Sequence, residues 1–362
     1  MSNSSHIKAL VLCGGKGTRL RPVTSTLPKH LLPIANRPIL FYVLDHISKA
    51  GITQVGIVIS PGVGDEICSA VGNGSQWGIA VDYILQLQAG GLAHAVSCAR
   101  DFLRDSPFLL FLGDNFIQGG VAPFVEEFIS QRPDALILLK EVADPRAFGV
   151  AQLDDQGQVV KLVEKPRKPL SNLALVGAYI LSPAIHRAID GLKPSRRGEL
   201  EITDAIQRLI DMGGQVHSHI LQGWWLDTGN RDDLLLANRV ALDEFLCGQI
   251  AGTVGNTSVC HTVDVGPNTH IENSQLQGPV SIAGDCTIRN SVIGPYVSVG
   301  TGTLIEDAQL RDSIVLEGCH IHGIGPITNS IISRNCRIIR ASPKEGVSLF
   351  MGEHTELAIT GQ

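Results

Sequence analysis

The chain has 362 residues, enough for two domains of ordinary size. Hydrophobic residues make up 44% of it and charged residues 18%, a balance typical of a globular protein that buries a core. The net charge is −6, without a basic block, and no apolar run reaches the length of a membrane span. The first residues also lack the apolar segment of a signal peptide. We therefore expect neither nucleic acid nor a membrane as a partner.

The cysteines indicate the redox setting. Eight are present, scattered along the chain without any Cys-x-x-Cys pair. This spacing favours neither a zinc site nor a disulfide framework. We therefore expect free thiols in a reducing cytoplasm.

The first predicted strand leads into a glycine-rich loop. Residues 9–13 form a short apolar run that predicts a buried strand. Gly14, Gly15 and Gly17 follow directly. Glycine lets a backbone turn sharply and approach a ligand closely, so this loop is a candidate ligand-binding segment.

Two cations follow the glycines and suggest which ligand the loop takes. Arg19 and Lys29 could join backbone N–H groups in holding a polyphosphate. The loop is not a P-loop, because no Gly-Lys-Ser/Thr closes it. It is not a dinucleotide-binding loop either, because Leu20 stands where the third glycine should be.

Strand and helix patterns alternate up to about residue 245. Residues 55–59 and 108–112 are continuous apolar runs, as expected of strands covered on both faces. Apolar residues between 40 and 47 fall at helical spacing, and Gly51 follows them as a stop signal. The pattern predicts an α/β domain with a mostly parallel sheet, whose ligands bind beyond the carboxyl ends of its strands.

The sequence pattern changes at about residue 255. Helical patterns end, and apolar residues recur six apart within a larger period of 16 or 17 residues. Such a repeat predicts a triangular parallel β-helix. We therefore predict two domains, residues 1–245 and residues 246–362. The larger period is carried by Val265, Ile282, Val299, Val315 and Ile332.

The repeat also accounts for three cysteines and several polar pairs. Cys286, Cys319 and Cys336 occupy one repeat slot, which we interpret as a small buried position and not a redox centre. Polar pairs recur 17 residues apart, and we expect them to stack at one corner of the β-helix. These pairs are Asn273-Ser274, Asn290-Ser291, Asp312-Ser313 and Asn329-Ser330.

Four motifs after the glycine loop resemble those of the sugar-1-phosphate nucleotidylyltransferases, in that family's order. The resemblance covers almost the whole chain and is greatest to the long-form branch that uses dTTP and glucose 1-phosphate. It implies a Rossmann-like nucleotidyltransferase domain with a mostly parallel sheet, followed by a left-handed parallel β-helix. The motifs are LGDN at 112–115, EKP at 164–166, GELEITD at 198–204 and WWLDTG at 224–229.

The resemblance assigns the charged residues of these motifs to phosphates and metal. It implies that Arg19 and Lys29 hold the nucleotide's pyrophosphate portion and that Lys165 holds the sugar phosphate. It further implies that Asp114 and Asp227 bind Mg²⁺, which typically takes one or two carboxylates together with substrate phosphates. The expected products are a nucleoside diphosphate sugar and pyrophosphate.

The nucleotide pocket is also assigned by resemblance. Gln86 resembles the glutamine that reads the thymine or uracil edge, since an amide can both donate and accept. We expect residues 91–95 to form a turn beneath it. His30 departs from the glutamine common in relatives, and we give it no catalytic role. The implied nucleotide-binding residues are Leu12, Gly14, Gly15, Gly17, Thr18, Gln86 and Gly91.

The implied sugar site lies in the central motifs. Glu164 resembles a residue that hydrogen-bonds the sugar hydroxyls, and glycines would let the backbone approach the hexose. Glu201 and Asp204 are expected instead to cap or orient the helix that follows them. The implied sugar-binding residues are Asn115, Gly149, Glu164, Gly177 and Glu199.

Alternative functions stay open at this stage. The nucleotide could be UTP, because one methyl group changes binding by only about 1–3 kcal/mol. The sugar could also be an N-acetylhexosamine 1-phosphate. An acyltransferase in the β-helix would need a base, but we expect most of the four histidines there to be solvent-facing turn residues. A non-catalytic regulatory subunit would be expected to lack charged motif residues that this chain retains. The histidines are His261, His270, His320 and His322.

The β-helix also bears on assembly. Parallel β-helices leave terminal coils and flat faces that commonly join subunits. We therefore expect a homo-oligomer.

Overall fold

A computed structural model describes residues 7–15 and 17–340. These residues fall into two compact units. Residues 7–15 group with Leu40–Asp227 in the first unit, and Gly17–Ile39 groups with residues 228–340 in the second. The predicted boundary between residues 245 and 246 stays a prediction about where the chain divides into domains.

Eight α-helices and thirteen strands occur in the described residues before position 250. The helices are α1 (Ile39–Lys49), α2 (Gly64–Val71), α3 (Leu92–Cys98), α4 (Arg100–Leu103), α5 (Ala122–Gln131), α6 (Ala184–Asp190), α7 (Ile202–Asp211) and α8 (Arg231–Phe245). The strands are β1 (Lys8–Leu12), β2 (Pro33–Ile34), β3 (Arg37–Pro38), β4 (Gln54–Ile59), β5 (Ala80–Leu85), β6 (Phe108–Leu112), β7 (Asn115–Ile117), β8 (Ala135–Glu141), β9 (Gly149–Leu153), β10 (Val159–Glu164), β11 (Leu173–Leu181), β12 (Val216–Ile220) and β13 (Trp225–Asp227).

The first unit is built on a mixed sheet with a parallel half. Strands run in the order β10-β9-β11-β6-β1-β4-β5, and β8 pairs with β11 and β12. Within this order β6, β1, β4 and β5 are parallel, whereas β11 runs antiparallel to β6, β8 and β9. The predicted strands at 55–59 and 108–112 are confirmed. The α/β layering with a parallel sheet is confirmed for the half that carries the glycine loop.

Apolar burial explains why these segments form their elements. The helical stripe predicted between residues 40 and 47 lies on α1, and its four apolar side chains are fully buried. Helix α1 ends before Gly51, whose φ of 76° suits a residue without a Cβ. The core of the first unit contains Leu10, Phe108 and Leu110 among its fully buried side chains. Each such side chain contributes about 1.5–3 kcal/mol relative to an exposed one.

The rest of the described chain forms sixteen short strands. They are β14 (Thr253–Gly255), β15 (Ser258–Cys260), β16 (Val263–Val265), β17 (His270–Glu272), β18 (Gln275–Gln277), β19 (Val280–Ile282), β20 (Thr287–Arg289), β21 (Val292–Ile293), β22 (Val297–Val299), β23 (Leu304–Glu306), β24 (Gln309–Arg311), β25 (Ser313–Val315), β26 (His320–His322), β27 (Ile327–Thr328), β28 (Ile331–Ile332) and β29 (Arg337–Ile339). They form three sheets, and every pairing between them is parallel.

This arrangement is the predicted parallel β-helix and fits the left-handed form. Its coils stack in the predicted period, because Ile271 pairs with Ile288, which pairs with Ile305 in the next coil. Cys286 and Cys319 are buried and Cys336 is partly buried, as expected of a small-residue slot. Burial raises the pKa of the Cys286 thiol. Burial also raises the pKa of the Cys319 thiol, to about 11, and both shifts disfavour the reactive thiolate.

Two expectations about the β-helix surface were wrong. The polar pairs stack at two corners and not at one: Asn290 follows β20, whereas Asn329 follows β27, a strand of a different sheet. Three of the four histidines lie on strands and not in turns, because β17 and β26 include them. Polar residues alternate with buried ones along such short strands, so an outward-facing histidine does not mark a turn.

In the part of the chain that the structure covers, none of the helices has the length and apolar character needed to cross a bilayer.

Candidate active site

The parallel half of the first unit's sheet brings several predicted residues to one edge. Strands β1, β5 and β6 end at Leu12, Leu85 and Leu112, and they run in the same direction. Gly14, Gln86 and Asp114 follow these ends within two residues. The carboxyl edge of a parallel sheet is where ligands bind in open α/β folds. Leu12 itself is buried, and its carbonyl accepts a hydrogen bond from the Gly113 N–H at 3.1 Å, which joins β1 to the Asp114 turn.

The Gln86 side chain is held between two of the predicted glycines. Its Nε2 donates to the Gly91 carbonyl at 3.2 Å, and the side chain is 7% exposed. A Cβ on Gly14 would stand 3.0 Å from Gln86 Oε1, so a side chain there would press on the amide. Gly91 has a φ of 97°, and a Cβ on it would come within 2.4 Å of the Leu200 carbonyl. Both glycines are therefore explained by close packing around Gln86 and α3.

Residues 91–95 do not form the expected turn. Helix α3 begins at Leu92, so His94 lies in its first turn. Its Nδ1 is 2.9 Å from Gln86 Nε2, and its Nε2 is 3.8 Å from Cys98 Sγ. The Gln86–His94 contact joins a strand end to a helix and has no signature in the local sequence. We therefore missed His94 as a residue of the site.

Hydrogen-bonding rules fix the orientation of the Gln86 amide. The Gly91 carbonyl can only accept, so the amide nitrogen must face it. The second amide hydrogen then points to His94 Nδ1, which must accept. This arrangement corresponds to the His94 tautomer that carries its proton on Nε2. Both amide hydrogens are thus used inside the protein, and the Gln86 carbonyl oxygen is the atom on the Gly14 side.

The two predicted metal ligands lie on neighbouring segments. Asp227 pairs with Asn115 across the antiparallel strands β13 and β7, and Asp114 precedes Asn115. Asp114 is 5% exposed, and its Oδ1 accepts a bond from Asn115 Nδ2 at 3.3 Å. Among the described residues no three or more His, Cys, Asp or Glu side chains form a metal cluster. Two carboxylates therefore fit a dication that takes its remaining ligands from phosphates and water, as Mg²⁺ does.

Asn115 joins these carboxylates to the centre of the sheet. It is 2% exposed, and its Oδ1 accepts from Trp225 Nε1 at 2.6 Å and from the Gly177 N–H at 3.1 Å. A Cβ on Gly177 would come within 2.5 Å of this oxygen. The close approach of Asn115 therefore explains the glycine at position 177. Direct sugar contacts by Asn115 and Gly177 stay a prediction.

A second cluster surrounds Glu164 at the end of β10. Thr203 Oγ1 donates to Glu164 Oε2 at 2.7 Å, and Gly149 lies opposite Glu164 on β9. A Cβ on Gly149 would stand 2.9 Å from Thr203 Oγ1, so glycine makes room for this bond. Lys165 Nζ lies 3.4 Å from Glu164 Oε1. Lys165 has a φ of 42°, a costly backbone conformation for lysine that is held by its N–H bond to the Phe148 carbonyl.

Arg197 completes this cluster, and sequence reasoning missed it. Its guanidinium lies 3.4 Å from Glu164 Oε1, 2.9 Å from Glu199 Oε2 and 3.6 Å from Glu201 Oε1. A signal was present, since Arg196 and Arg197 stand directly before the GELEITD motif. Arg197 and Lys165 place two partly exposed cations around one carboxylate. Such a group can take a phosphate together with sugar hydroxyls.

Glu201 does not cap α7 as expected. It occupies the N-cap position without a capping hydrogen bond, and its carboxylate accepts from Ser195 Oγ at 2.9 Å. Burial raises the pKa of Glu201, against the effect of the Ser195 bond. Burial and then the Glu164 charge raise the pKa of Asp204. Glu201 therefore holds Arg197 and the residues before α7, not the helix end.

The remaining phosphate-binding candidates belong to the second unit. Gly17 has a φ of 61°, and a Cβ there would stand 3.0 Å from Thr24 Cγ2 and 3.1 Å from Lys29 Cβ. Thr24 Oγ1 donates to the Gly17 carbonyl at 2.7 Å. Gly17 thus allows the Lys29 stem to pack against the loop. Two short 3₁₀ turns, Thr18–Leu20 and Lys29–Leu31, carry the predicted residues of this segment.

The residues of this segment differ in their exposure to solvent. Thr18 and Arg19 are exposed, and Lys29 is partly exposed. His30 is 1% exposed. Burial raises the pKa of Asp233 in α8, while its bond from Asn230 and the Arg19 charge lower it. Arg19 is thus close enough to α8 to interact with its first turn.

One cavity of the first unit lies apart from these residues. It has a volume of about 730 Å³ and is lined by α4, α6 and neighbouring residues, including His186. Its arginines are matched by aspartates, and Arg100 pairs with Asp190 at 2.6 Å. This balance of charge gives no preference for an anion, and none of the predicted site residues lines the cavity.

Comparison with known proteins places the chain. Residues 8–244 match the family model described as nucleotidyl transferase. The chain is 45% identical over 357 residues to a glucose-1-phosphate thymidylyltransferase from Streptomyces griseus, covering 98% of this chain and 100% of that protein. It is 36% identical over 229 residues to AglF, a UTP–glucose-1-phosphate uridylyltransferase from Haloferax volcanii, covering 63% of this chain and 93% of the relative.

A solved structure agrees with these similarities. A Bacillus anthracis protein crystallised with sucrose is 34% identical, with a TM-score of 0.63. The match covers 67% of this chain and 98% of that one. The Streptomyces similarity, by contrast, extends over both units of this chain.

Proposed function

The chain belongs to the nucleotidyl transferase family, and from that premise we propose that it makes dTDP-glucose from dTTP and glucose 1-phosphate, releasing pyrophosphate. Similarity to the Streptomyces griseus enzyme over 98% of the chain supports this pair of substrates. Within the molecule, the proposal is carried by Asp114 and Asp227, two carboxylates on paired segments at the sheet edge that also bears Gln86.

The proposed reaction is a single displacement at phosphorus. A phosphate oxygen of glucose 1-phosphate attacks the α-phosphorus of dTTP, and the bond from that phosphorus to the bridging oxygen of the β-phosphate breaks. The protein forms no covalent bond, so positioning and charge neutralisation carry the catalysis. Asp114 and Asp227 would hold Mg²⁺, which would supply charge neutralisation on the nucleotide.

The proposed roles of the cations follow their surroundings. Lys165 and Arg197 hold the sugar phosphate, because both flank Glu164, which accepts hydrogen bonds from sugar hydroxyls. Glu199 holds Arg197 in place and offers a second acceptor to the sugar. Arg19 and Lys29 hold the β- and γ-phosphates, which leave as pyrophosphate. Thr18 offers its backbone N–H group to the same phosphates, and Gly15 is proposed as a nucleotide-binding residue of the first unit.

The Gln86 amide explains the proposed choice of base. Its carbonyl oxygen accepts a hydrogen bond from N3–H of thymine or uracil. Cytosine has a lone pair at N3, which would face this oxygen and repel it. The arrangement therefore selects thymine and uracil against cytosine, but it does not separate dTTP from UTP.

A substrate panel tests the proposed function. The purified protein should release pyrophosphate fastest with dTTP and glucose 1-phosphate. UTP or an N-acetylhexosamine 1-phosphate should work less well, and dCTP should be at least about tenfold poorer in kcat/KM, since an unpaired polar contact costs about 1–3 kcal/mol. A higher kcat/KM with UTP would replace dTTP in the proposal. Binding of sugar nucleotides without any turnover would indicate the regulatory alternative instead.

His94 should control the base preference through Gln86. His94→Leu removes the acceptor that engages the second amide hydrogen and leaves only the Gly91 carbonyl to hold the amide, so Gln86 is held less strictly in the orientation that rejects cytosine. We expect KM for dTTP to rise about tenfold and discrimination against dCTP to fall by a similar factor, as for a lost hydrogen bond. KM for glucose 1-phosphate should stay within about twofold.

The matched variant His94→Asn separates this effect from loss of packing. Asparagine places an acceptor oxygen near the position of Nδ1, so it should retain most of the base discrimination. If both variants discriminate against dCTP as the wild type does, His94 does not orient Gln86.

The setting and assembly complete the proposal. All eight cysteines lie among the described residues and none of them forms a disulfide bond, which supports a reducing, cytoplasmic location. We also propose a homo-oligomer, because the parallel strands of the β-helix leave sheet faces that can join subunits.

A further inference from the structure

The hairpin that follows Lys29 carries an unusual turn. Strands β2 and β3 pair through Pro33–Pro38 and Ile34–Arg37, leaving Ala35 and Asn36 as a two-residue turn. Their φ angles are 47° and 60°. A two-residue hairpin with both φ values positive favours Asn-Gly, and alanine is disfavoured there because its Cβ crowds the backbone. Something outside the hairpin must therefore hold this turn.

Hydrogen bonds from α8 and the β-helix hold it. The Ala35 N–H donates to Asn238 Oδ1 at 2.9 Å. Asn36 Nδ2 donates to the Ser281 carbonyl at 3.0 Å and to Ser281 Oγ at 2.9 Å. Asn238 Oδ1 also accepts from Ser298 Oγ at 2.7 Å. One buried amide thus joins the turn, α8 and a coil of the β-helix.

This junction lies deep in the second unit. Asn238 and Ser298 are each 1% exposed, and Ser281 is 7% exposed. Buried polar groups are costly unless they are paired, so a satisfied buried network favours a single arrangement of its members. The turn is therefore fixed relative to Ser281 and Ser298, which face it from neighbouring coils β19 and β22.

Two backbone hydrogen bonds connect the hairpin to Lys29. The Ile39 N–H donates to the Leu32 carbonyl at 3.1 Å, which closes the base of the hairpin. The Leu32 N–H in turn donates to the Lys29 carbonyl at 3.2 Å. A displacement of the turn would therefore pass to Lys29 over a few residues.

We infer that the β-helix positions Lys29 for the triphosphate through Asn36, Asn238, Ser281 and Ser298. The inference rests on the proposed function, in which Lys29 holds the phosphates that leave as pyrophosphate. The four side chains are positioning residues and touch no substrate. The β-helix thus contributes to nucleotide binding as well as to assembly.

The test removes the hydrogen bonds that hold the turn and keeps the backbone conformation of the turn. Asn36→Gly deletes both bonds to Ser281, while glycine accepts a positive φ more readily than asparagine does. Asn238→Ala removes the acceptor of the Ala35 N–H bond. The control is Asn256→Gly, which has a φ of 43° and loses a side-chain bond of 2.6 Å to Asn273 within the β-helix. Thermal unfolding identifies any variant that fails to fold.

Kinetics in both directions give the decisive readout. We expect Asn36→Gly and Asn238→Ala to raise KM for dTTP and for pyrophosphate about five- to tenfold. KM for glucose 1-phosphate should change less than twofold, and Asn256→Gly should leave all three constants within twofold. A purely structural role would lower the unfolding temperature without this split between substrates.

Each other outcome overturns a definite claim. If Asn36→Gly binds dTTP and pyrophosphate as the wild type does, the β-helix does not position Lys29. A parallel rise in KM for glucose 1-phosphate also rejects the inference, because it indicates a general disturbance. If the wild type turns over no nucleotide at all, the proposed function fails first, and the positioning role fails with it.

Discussion

Replacing Asp114 or Asp227 by asparagine is expected to lower kcat at least about a hundredfold. Each change removes one carboxylate charge and keeps the shape of the side chain. The loss of one preorganised electrostatic group at a reaction centre typically costs about 10²–10³ in rate.

Turnover as a function of Mg²⁺ concentration checks the assignment. Both variants should need more Mg²⁺ for half-maximal rate, and their unfolding temperatures should stay close to that of the wild type. Asp211→Asn is the matched control, because Asp211 is exposed on α7 and accepts a surface bond from Gln207 at 2.9 Å. Near-normal turnover in both site variants would remove Asp114 and Asp227 from the mechanism.

The β-helix was predictable because the same spacing of apolar residues recurs from coil to coil. The coils stack with these residues in register, so the spacing of Ile271, Ile288 and Ile305 determines the pairing. The corners were harder to assign. Asn290 and Asn329 both precede serine, but the strands before them belong to different sheets. A dipeptide reports a tight turn and does not identify the corner of the triangle at which the turn lies.

The candidate site was predictable where a motif follows a strand. Asp114 and Gln86 come directly after apolar runs, and parallel strands bring such ends to one edge. His94 and Arg197 were missed because their contacts with Gln86 and Glu164 depend on tertiary packing, which local sequence patterns do not report. His94 meets Gln86 from a helix, and Arg197 meets Glu164 across 33 residues of sequence.

The grouping of residues 17–39 with the β-helix was beyond sequence reasoning. The bond from Ala35 to Asn238 spans 203 residues and the bond from Asn36 to Ser281 spans 245. Neither asparagine stands in a repeat or motif that predicts a distant partner. Local patterns therefore give no sign of these bonds, which join residues 17–39 to later residues of the same compact unit.

The two motif lysines are expected to serve different substrates. Lys165→Ala should raise KM for glucose 1-phosphate at least about tenfold, because a hydrogen bond to a charged group contributes about 1.5–3 kcal/mol. Alanine is no worse suited than lysine to the φ of 42° at this position, so the backbone should keep its course. Lys29→Ala should instead raise KM for dTTP in the forward direction and for pyrophosphate in reverse by a similar factor.

Controls for both lysines come from exposed positions. Lys161→Ala lies on the same strand as Glu164 and should leave KM for glucose 1-phosphate unchanged, and Lys49→Ala at the end of α1 should leave KM for dTTP unchanged. These comparisons subtract the general effect of losing one positive charge. Since Lys165 contacts Glu164, part of its effect could arise from a freed carboxylate, and the double variant Lys165→Ala/Glu164→Gln measures that coupling. Equal defects toward both substrates in Lys29→Ala and Lys165→Ala would contradict the division of roles, because each lysine would then act on the active site as a whole.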